Sequence, residues 1–157
     1  MTNSAICIDA SMLLRLVRAG GGRPRLQALW ESWYLAKRPI IAPALLHYEL
    51  VNALRRAVVH AALTEQEADE TLQAAFHMPI TLYGDAALHR RALALSHAWA
   101  LPAAYDAHYL ALAERLGADL WMADQRLYRV VGAALPWVHY FDEDAPDERA
   151  GADKEPK

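Results

Sequence analysis

The sequence predicts an α/β fold built on a central, mostly parallel five-stranded sheet covered by helices on both faces. Three observations carry that expectation. Residues 4–8 (SAICI) are an unbroken, nearly apolar run, the pattern of a strand buried on both faces. Four more short runs of strand character follow, at IIA, ITLY, DLWMA and WVHYF. Between them lie segments whose apolar residues recur at helical spacing, and parallel neighbours need crossovers long enough to hold a helix.

In chain order, a helix is expected from Ser11 to Ala19, broken by GGGRP at 20–24. A second helix, 25–37, carries Leu26, Leu29, Trp30, Trp33 and Tyr34 on one stripe, which reads as core. Pro39 stops it before the strand IIA. Pro43 suits the first turn of the next helix, which continues through ALLHYELVNALRRAVVHAA. Thr64 and Glu67 are spaced as a capping box, so another helix starts there and runs to about Phe76. ITLY, 80–83, is a third strand, DAALHRRALALSHAWA a helix, and Pro102 a break. In AYDAHYLALAERLGA, Tyr109, Leu112, Ala113 and Leu116 share a face, and Gly117 is the expected stop. DLWMA is the fourth strand, QRLYRVVGAAL a helix and WVHYF the fifth strand.

The chain divides into one domain, residues 1–141, and an acidic tail, residues 142–157. At 157 residues, 55% hydrophobic and 22% charged, it is of a size and composition to bury one core. No run of about 18 apolar residues is present to span a membrane. The start MTNSAICID lacks the charged and apolar regions of a signal peptide. A single cysteine, Cys7, precludes an internal disulfide and reads as a buried, inert thiol; a cytoplasmic location is the expectation. The net charge of −3 argues against a polyanionic partner only superficially. The tail holds seven of the 19 acids and three of the 16 bases, leaving 12 acids and 13 bases in the domain. Its composition predicts disorder. Between Arg15 and Arg38 six bases face a single acid, Glu31, and such local density matters more to phosphate than a global sum.

Four acids stand where local pattern calls for something else. Asp9 ends the first buried strand and Asp124 follows the fourth. Asp106 lies in the first turn of its helix, three residues before Tyr109 and so expected to face the sheet. Glu49 lies well inside a helix, between Tyr48 and Leu50. In open parallel sheets ligands bind beyond the carboxyl ends of the strands, where these residues could meet. Each also has a local explanation. Asp9 and Asp124 could cap the helices that follow them, Asp106 could answer a helix dipole, and Glu49 could pair with Arg55 or Arg56. Gathered together, four carboxylates would repel one another unless a divalent cation joined them. An oxygen-only donor set selects Mg²⁺ or Mn²⁺ over zinc.

ICIDASMLLRLV, APALLHYELVNALRRA and LPAAYDAHYLALAERLGADLWMADQRL together resemble, in order and spacing, the acidic motifs of PIN domains, most closely of the VapC-type toxin ribonucleases. The resemblance covers residues 5 to about 141. It implies a PIN-like three-layer α/β/α domain and metal-dependent hydrolysis of RNA that leaves a 5′-phosphate. The catalytic and metal-binding acids would be Asp9, Glu49, Asp106 and Asp124, with Asp9 and Asp106 the principal ligands of Mg²⁺ or a substituting Mn²⁺. Ser11 and Asn52 would support them. The same resemblance implies the toxin of a type II toxin–antitoxin pair, with an antitoxin partner and a homodimeric state. One departure is Met122, at the place where the family usually has Thr or Ser; Ser11 could supply the missing hydroxyl. Arg15, Arg18, Arg23 and Arg25, around the loop RAGGGRPR, are candidate RNA contacts, although a plain turn also accounts for the loop. The seven histidines show no metal-binding spacing and read as ordinary surface or core residues.

Two other functions fit less well. A catalytically silent PIN-like module that binds RNA or protein is favoured by Met122 and opposed by the intact acidic quartet. A phosphatase or phospho-receiver would want an acid at position 11 or a lysine for the phosphate, and before the tail the chain has only Lys37.

Overall fold

The computed structural model describes residues 4–18 and 23–145. Among them the chain runs β1 (Ile6–Ile8), α1 (Ala10–Arg18), α2 (Pro24–Leu35), β2 (Ile40–Pro43), α3 (Leu46–Val59) and α4 (Glu65–Phe76). It continues through β3 (Ile80–Tyr83), α5 (Ala86–Ala98), α6 (Tyr105–Leu116), β4 (Asp119–Met122), α7 (Gln125–Val131) and β5 (Val138–Tyr140). The strands form one sheet in the order β3-β2-β1-β4-β5, and every pairing is parallel. The first two crossovers step outward from β1 to β2 and β3. The third returns across the sheet to β4, and the fourth steps outward to β5. Right-handed crossovers therefore place α1–α4 on one face and α5–α7 on the other, a three-layer α/β/α domain.

β1 is central, and Ile6, Cys7 and Ile8 are wholly buried, as a doubly covered strand requires. The Cys7 thiol lies toward the carbonyl of Tyr109 on α6, so Ile6 and Ile8 point to the opposite helical layer. Burial, and then the neighbouring Asp9, push that thiol far up, leaving it un-ionised and inert. Local signals hold in most places. The Thr64–Glu67 capping box closes reciprocally, Asp85 caps α5, and Gly117 ends α6 in the left-handed region.

Several expectations need correction. Pro43 does not open a helix; it is the last residue of β2, opposite Tyr83. Its missing N–H is tolerated because it lies beyond the last residue pair between β1 and β2. α7 is one short helix rather than the full 125–135 segment. The aromatic stripe of α2 splits: Trp33 is buried, whereas Tyr34 is 75% exposed. Of the loop RAGGGRPR, residues 19–22 lie outside the described part. So do residues 146–157, most of the acidic tail and of its expected disorder. No described helix is long and apolar enough to cross a membrane.

Gly117 has φ +59° and open space where a Cβ would lie, so only backbone strain opposes a side chain there. Gly117→Ala should lower unfolding free energy by about 1 kcal/mol. Urea denaturation followed by circular dichroism measures this, with an unchanged m-value expected.

Candidate metal centre

The winding direction reverses between β1 and β4, and at such a switch point no crossover covers the gap beyond the strand ends. A cleft of about 280 Å³ opens there. Asp9, Glu49, Asp106 and Asp124 all line it, together with Ser11, Asn52, Met122, Arg56 and Arg126. The four acids come from separate segments, up to 115 positions apart in the chain, and reach one cleft.

Asp9 is the first residue past β1. Its backbone N–H still bonds to the Trp121 carbonyl of β4 (3.3 Å), which fixes it beside the neighbouring strand. Its Oδ1 accepts from the Met12 backbone N–H (2.8 Å) and from the Ser11 hydroxyl (2.7 Å). Ser11 Oγ in turn accepts from the Ala123 backbone N–H (3.0 Å), linking the Asp9 turn to the residue before Asp124. Glu49 lies in the first turn of α3, not deep in the helix. It pairs with neither Arg55 nor Arg56; its Oε1 accepts from the hydroxyl of Tyr109 (2.7 Å). Tyr109 was placed on the inner face of α6 by periodicity, but nothing in the sequence marked it as a partner of Glu49.

Asp106 occupies the first turn of α6, where the helix N-terminus favours an acid. Its predicted orientation is corrected: it is exposed at the cleft rim rather than turned to the sheet. Asp124 caps α7 through the Arg126 backbone N–H (2.9 Å to Oδ1). The Arg126 guanidinium also holds both of its oxygens, with Nε 3.2 Å from Oδ1 and 3.0 Å from Oδ2, and Nη2 2.7 Å from Oδ2. The capping explanations of Asp9 and Asp124 are therefore correct, and they coexist with convergence on the cleft.

Proton affinities follow this geometry. Burial lifts the Asp9 carboxyl to about 7, against its bonds from Ser11 and Met12, and the charges of Asp106 and Glu49 push the same way. Burial raises Glu49, with Tyr109 opposing and Asp106 adding. Asp106 is raised by desolvation at the cleft wall, with Arg126 opposing and Asp124 adding. Asp124 alone is lowered, chiefly by the Arg126 guanidinium. Three acids thus carry charge that their surroundings do not fully compensate.

That donor set fits a hard cation. The lining supplies carboxylate, hydroxyl and amide oxygens, with no histidine or cysteine. Among the described residues, no three histidine, cysteine or acidic side chains are already drawn around one point closely enough to hold an ion. The carboxylates are engaged instead with Ser11 and Met12, with Tyr109 and with Arg126. Met122 is buried in the cleft wall and offers no hydroxyl; the hydroxyls that touch an acid are those of Ser11, on Asp9, and Tyr109, on Glu49.

The candidate arginines divide. Arg15, Arg18 and Arg23 line a hollow of about 240 Å³ that shares Leu14 with the acidic cleft. Arg25 is not with them. Its guanidinium donates to the carbonyls of Asp142 and Ala145 (2.9 Å to the latter) and lies 5.9 Å over the Phe141 ring, so it holds the first residues of the acidic tail against α2.

A family model described as PIN domain matches residues 6–133. No curated protein matches the chain. Among solved structures the chain is similar to one from a toxin–antitoxin complex of Klebsiella pneumoniae. That match has 20% identity and a TM-score of 0.56, covering 87% of this chain and 96% of the other. It is also similar to VapC20 of Mycobacterium tuberculosis, described as a Sarcin-Ricin loop cleaving toxin. There the identity is 16% and the TM-score 0.53, with 83% of this chain and 96% of the other covered. At these identities the likeness is one of fold.

Asp9 makes stability depend on pH with a definite sign. Its carboxyl is raised from 3.8 to about 7 on folding, so between those values the native state holds a proton that the unfolded chain has lost. Without added metal, stability should fall as pH rises through that window and level off above it. Asp9→Asn keeps an Oδ1 acceptor for Ser11 and Met12 while removing the charge. At pH 8 it should be more stable than wild type by roughly 2 kcal/mol, and at pH 4 about equal. Urea unfolding in EDTA at the two pH values measures the difference.

Proposed function

The chain belongs to the PIN domain family, and from that membership we propose that it is a divalent-metal-dependent endoribonuclease, the toxin of a type II toxin–antitoxin pair. The observation that carries this reading is that Asp9, Glu49, Asp106 and Asp124 all line one cleft beyond β1 and β4. Asp9 and Asp106 would be the principal ligands of Mg²⁺ or Mn²⁺, with Glu49 and Asp124 completing the site. Such an ion supplies Lewis-acid activation of the phosphate and a more acidic water.

The protein's own groups do the positioning. Ser11 and the Met12 N–H both take Oδ1 of Asp9, leaving Oδ2 available to the cleft. Tyr109 takes Oε1 of Glu49 and leaves Oε2. Its phenol is held far above the range in which it could ionise, first by burial and then by the charge of Glu49, so it acts as a fixed donor. Asn52 lies one turn beyond Glu49 on the cleft wall, where its amide can meet substrate. RNA leaving the cleft along α1 would meet Arg15, Arg18 and Arg23, and neither Arg15 nor Arg23 is ion-paired among the described residues. Residues 1–141 would form the nuclease domain and 142–157 the tail. Homodimerisation and an antitoxin partner are part of the proposal. The second is supported by the solved relative, which is a toxin–antitoxin complex.

Induced expression of the chain should arrest growth, and Asp106→Asn should abolish the arrest. Purified protein should cleave RNA with Mn²⁺ and not with EDTA. Identical behaviour of wild type and Asp106→Asn would favour the silent binding module. Tyr109→Phe removes the donor to Glu49 without touching the cleft's own acids. It should lower Mn²⁺-dependent cleavage about ten-fold or more, as loss of a ligand's supporting hydrogen bond does.

A further inference from the structure

We infer that Arg126 is an exchangeable counter-ion of the cleft, paired with Asp124 when no cation is held there and released to the RNA phosphate when one is. The inference rests on the nuclease reading and names a residue which that reading leaves without a role. Its basis is a contrast among the acids. Asp9 and Glu49 are each held through one oxygen by neutral donors. Asp124 has both oxygens covered by a guanidinium. A cation that uses Asp124 must therefore displace Arg126.

Three features make that displacement easy. The Arg126 side chain is 86% exposed, so the pair is solvated and weakly held. The cap of α7 is made separately, by the Arg126 backbone N–H to Asp124 Oδ1, so the guanidinium can leave without opening the helix. Arg126 also lines the cleft, as Asp106 and Arg56 do, so a short swing keeps it at the site. A planar guanidinium suits both ends of the exchange, because its fork matches a carboxylate and a phosphate alike.

The test compares full-length wild type, Arg126→Gln, Asp124→Asn and the double variant, with circular dichroism confirming that each is folded. Free Mn²⁺ is titrated by electron paramagnetic resonance. Arg126→Gln should bind Mn²⁺ about two- to five-fold more tightly, the range an exposed ion pair can supply, and the gain should vanish in the Asp124→Asn background. Binding of a twelve-nucleotide single-stranded RNA is followed by fluorescence anisotropy in Ca²⁺ and in EDTA. Arg126→Gln should weaken it about three-fold or more in Ca²⁺, with a salt slope shallower by about one, and leave it unchanged in EDTA. Unchanged Mn²⁺ affinity, a gain that survives Asp124→Asn, or equal RNA losses in both buffers would each overturn the exchange while leaving the nuclease reading intact. Wild type whose Mn²⁺ affinity is unaltered by Asp9→Asn would overturn both.

Discussion

Two parallel strands meet at the centre of the sheet, and the chain winds away from them in opposite directions. From β1 it leaves toward β2 and β3; from β4 it leaves toward β5. Right-handed crossovers then send the following helices to opposite faces, and neither layer closes the gap beyond the paired strand ends. Asp9 and Asp124 stand at that gap because each lies in the turn from a central strand into its helix. Glu49 and Asp106 join them from the first turns of α3 and α6, one from each helical layer. The cleft is thus a consequence of winding order more than of any single loop.

Electrostatics runs against this placement. Asp9 sits at the end of a wholly buried strand and its carboxyl is lifted to about 7, so its ionised form destabilises the folded chain. What holds it there is a set of neutral donors already required by the fold: a helix N-terminal N–H and a hydroxyl that also ties β1 to β4. Tyr109 does the same for Glu49 from inside the core. A fold that keeps under-compensated carboxylates gives up stability, a cost recurrent at functional sites, and under the proposed function cation affinity is what it gains. Asp124 is the exception. At the exposed rim a solvated guanidinium can neutralise it, and that makes it the one acid whose charge is already matched.

The sequence displays more of the site than of the surface around it. The alternation of short apolar runs with helical segments was enough for a parallel sheet, because only buried central strands carry unbroken runs such as AICI. The acids stood out because each breaks such a local pattern. Pro43 is ambiguous in sequence because a proline after a strand looks alike whether it ends the strand or begins a helix; the pairing partner decides, and Tyr83 lies 40 residues away. The Glu49–Tyr109 bond is hidden for the same reason: both residues fit their helices, and only the tertiary fold joins them. Arg25 lies close to Arg15, Arg18 and Arg23 along the chain. In space it turns to carbonyls near residue 142, more than 110 positions on.

Capping and ligand binding look like rival explanations for an aspartate that follows a strand, but the geometry of Asp9 makes them compatible. A cap needs a single oxygen, and both bonds to Asp9 fall on Oδ1. The cap therefore fixes the orientation of the second oxygen without consuming it, which is what a ligand needs before its ion arrives. The same division holds at Glu49, where the phenol takes Oε1 alone. It fails at Asp124, whose Oδ1 is also a cap acceptor but whose Oδ2 is occupied by charge. Under the proposed function, the donors already in place leave two of these acids with an open oxygen and the third only if Arg126 withdraws, and that asymmetry is what would let the filling of the cleft be graded.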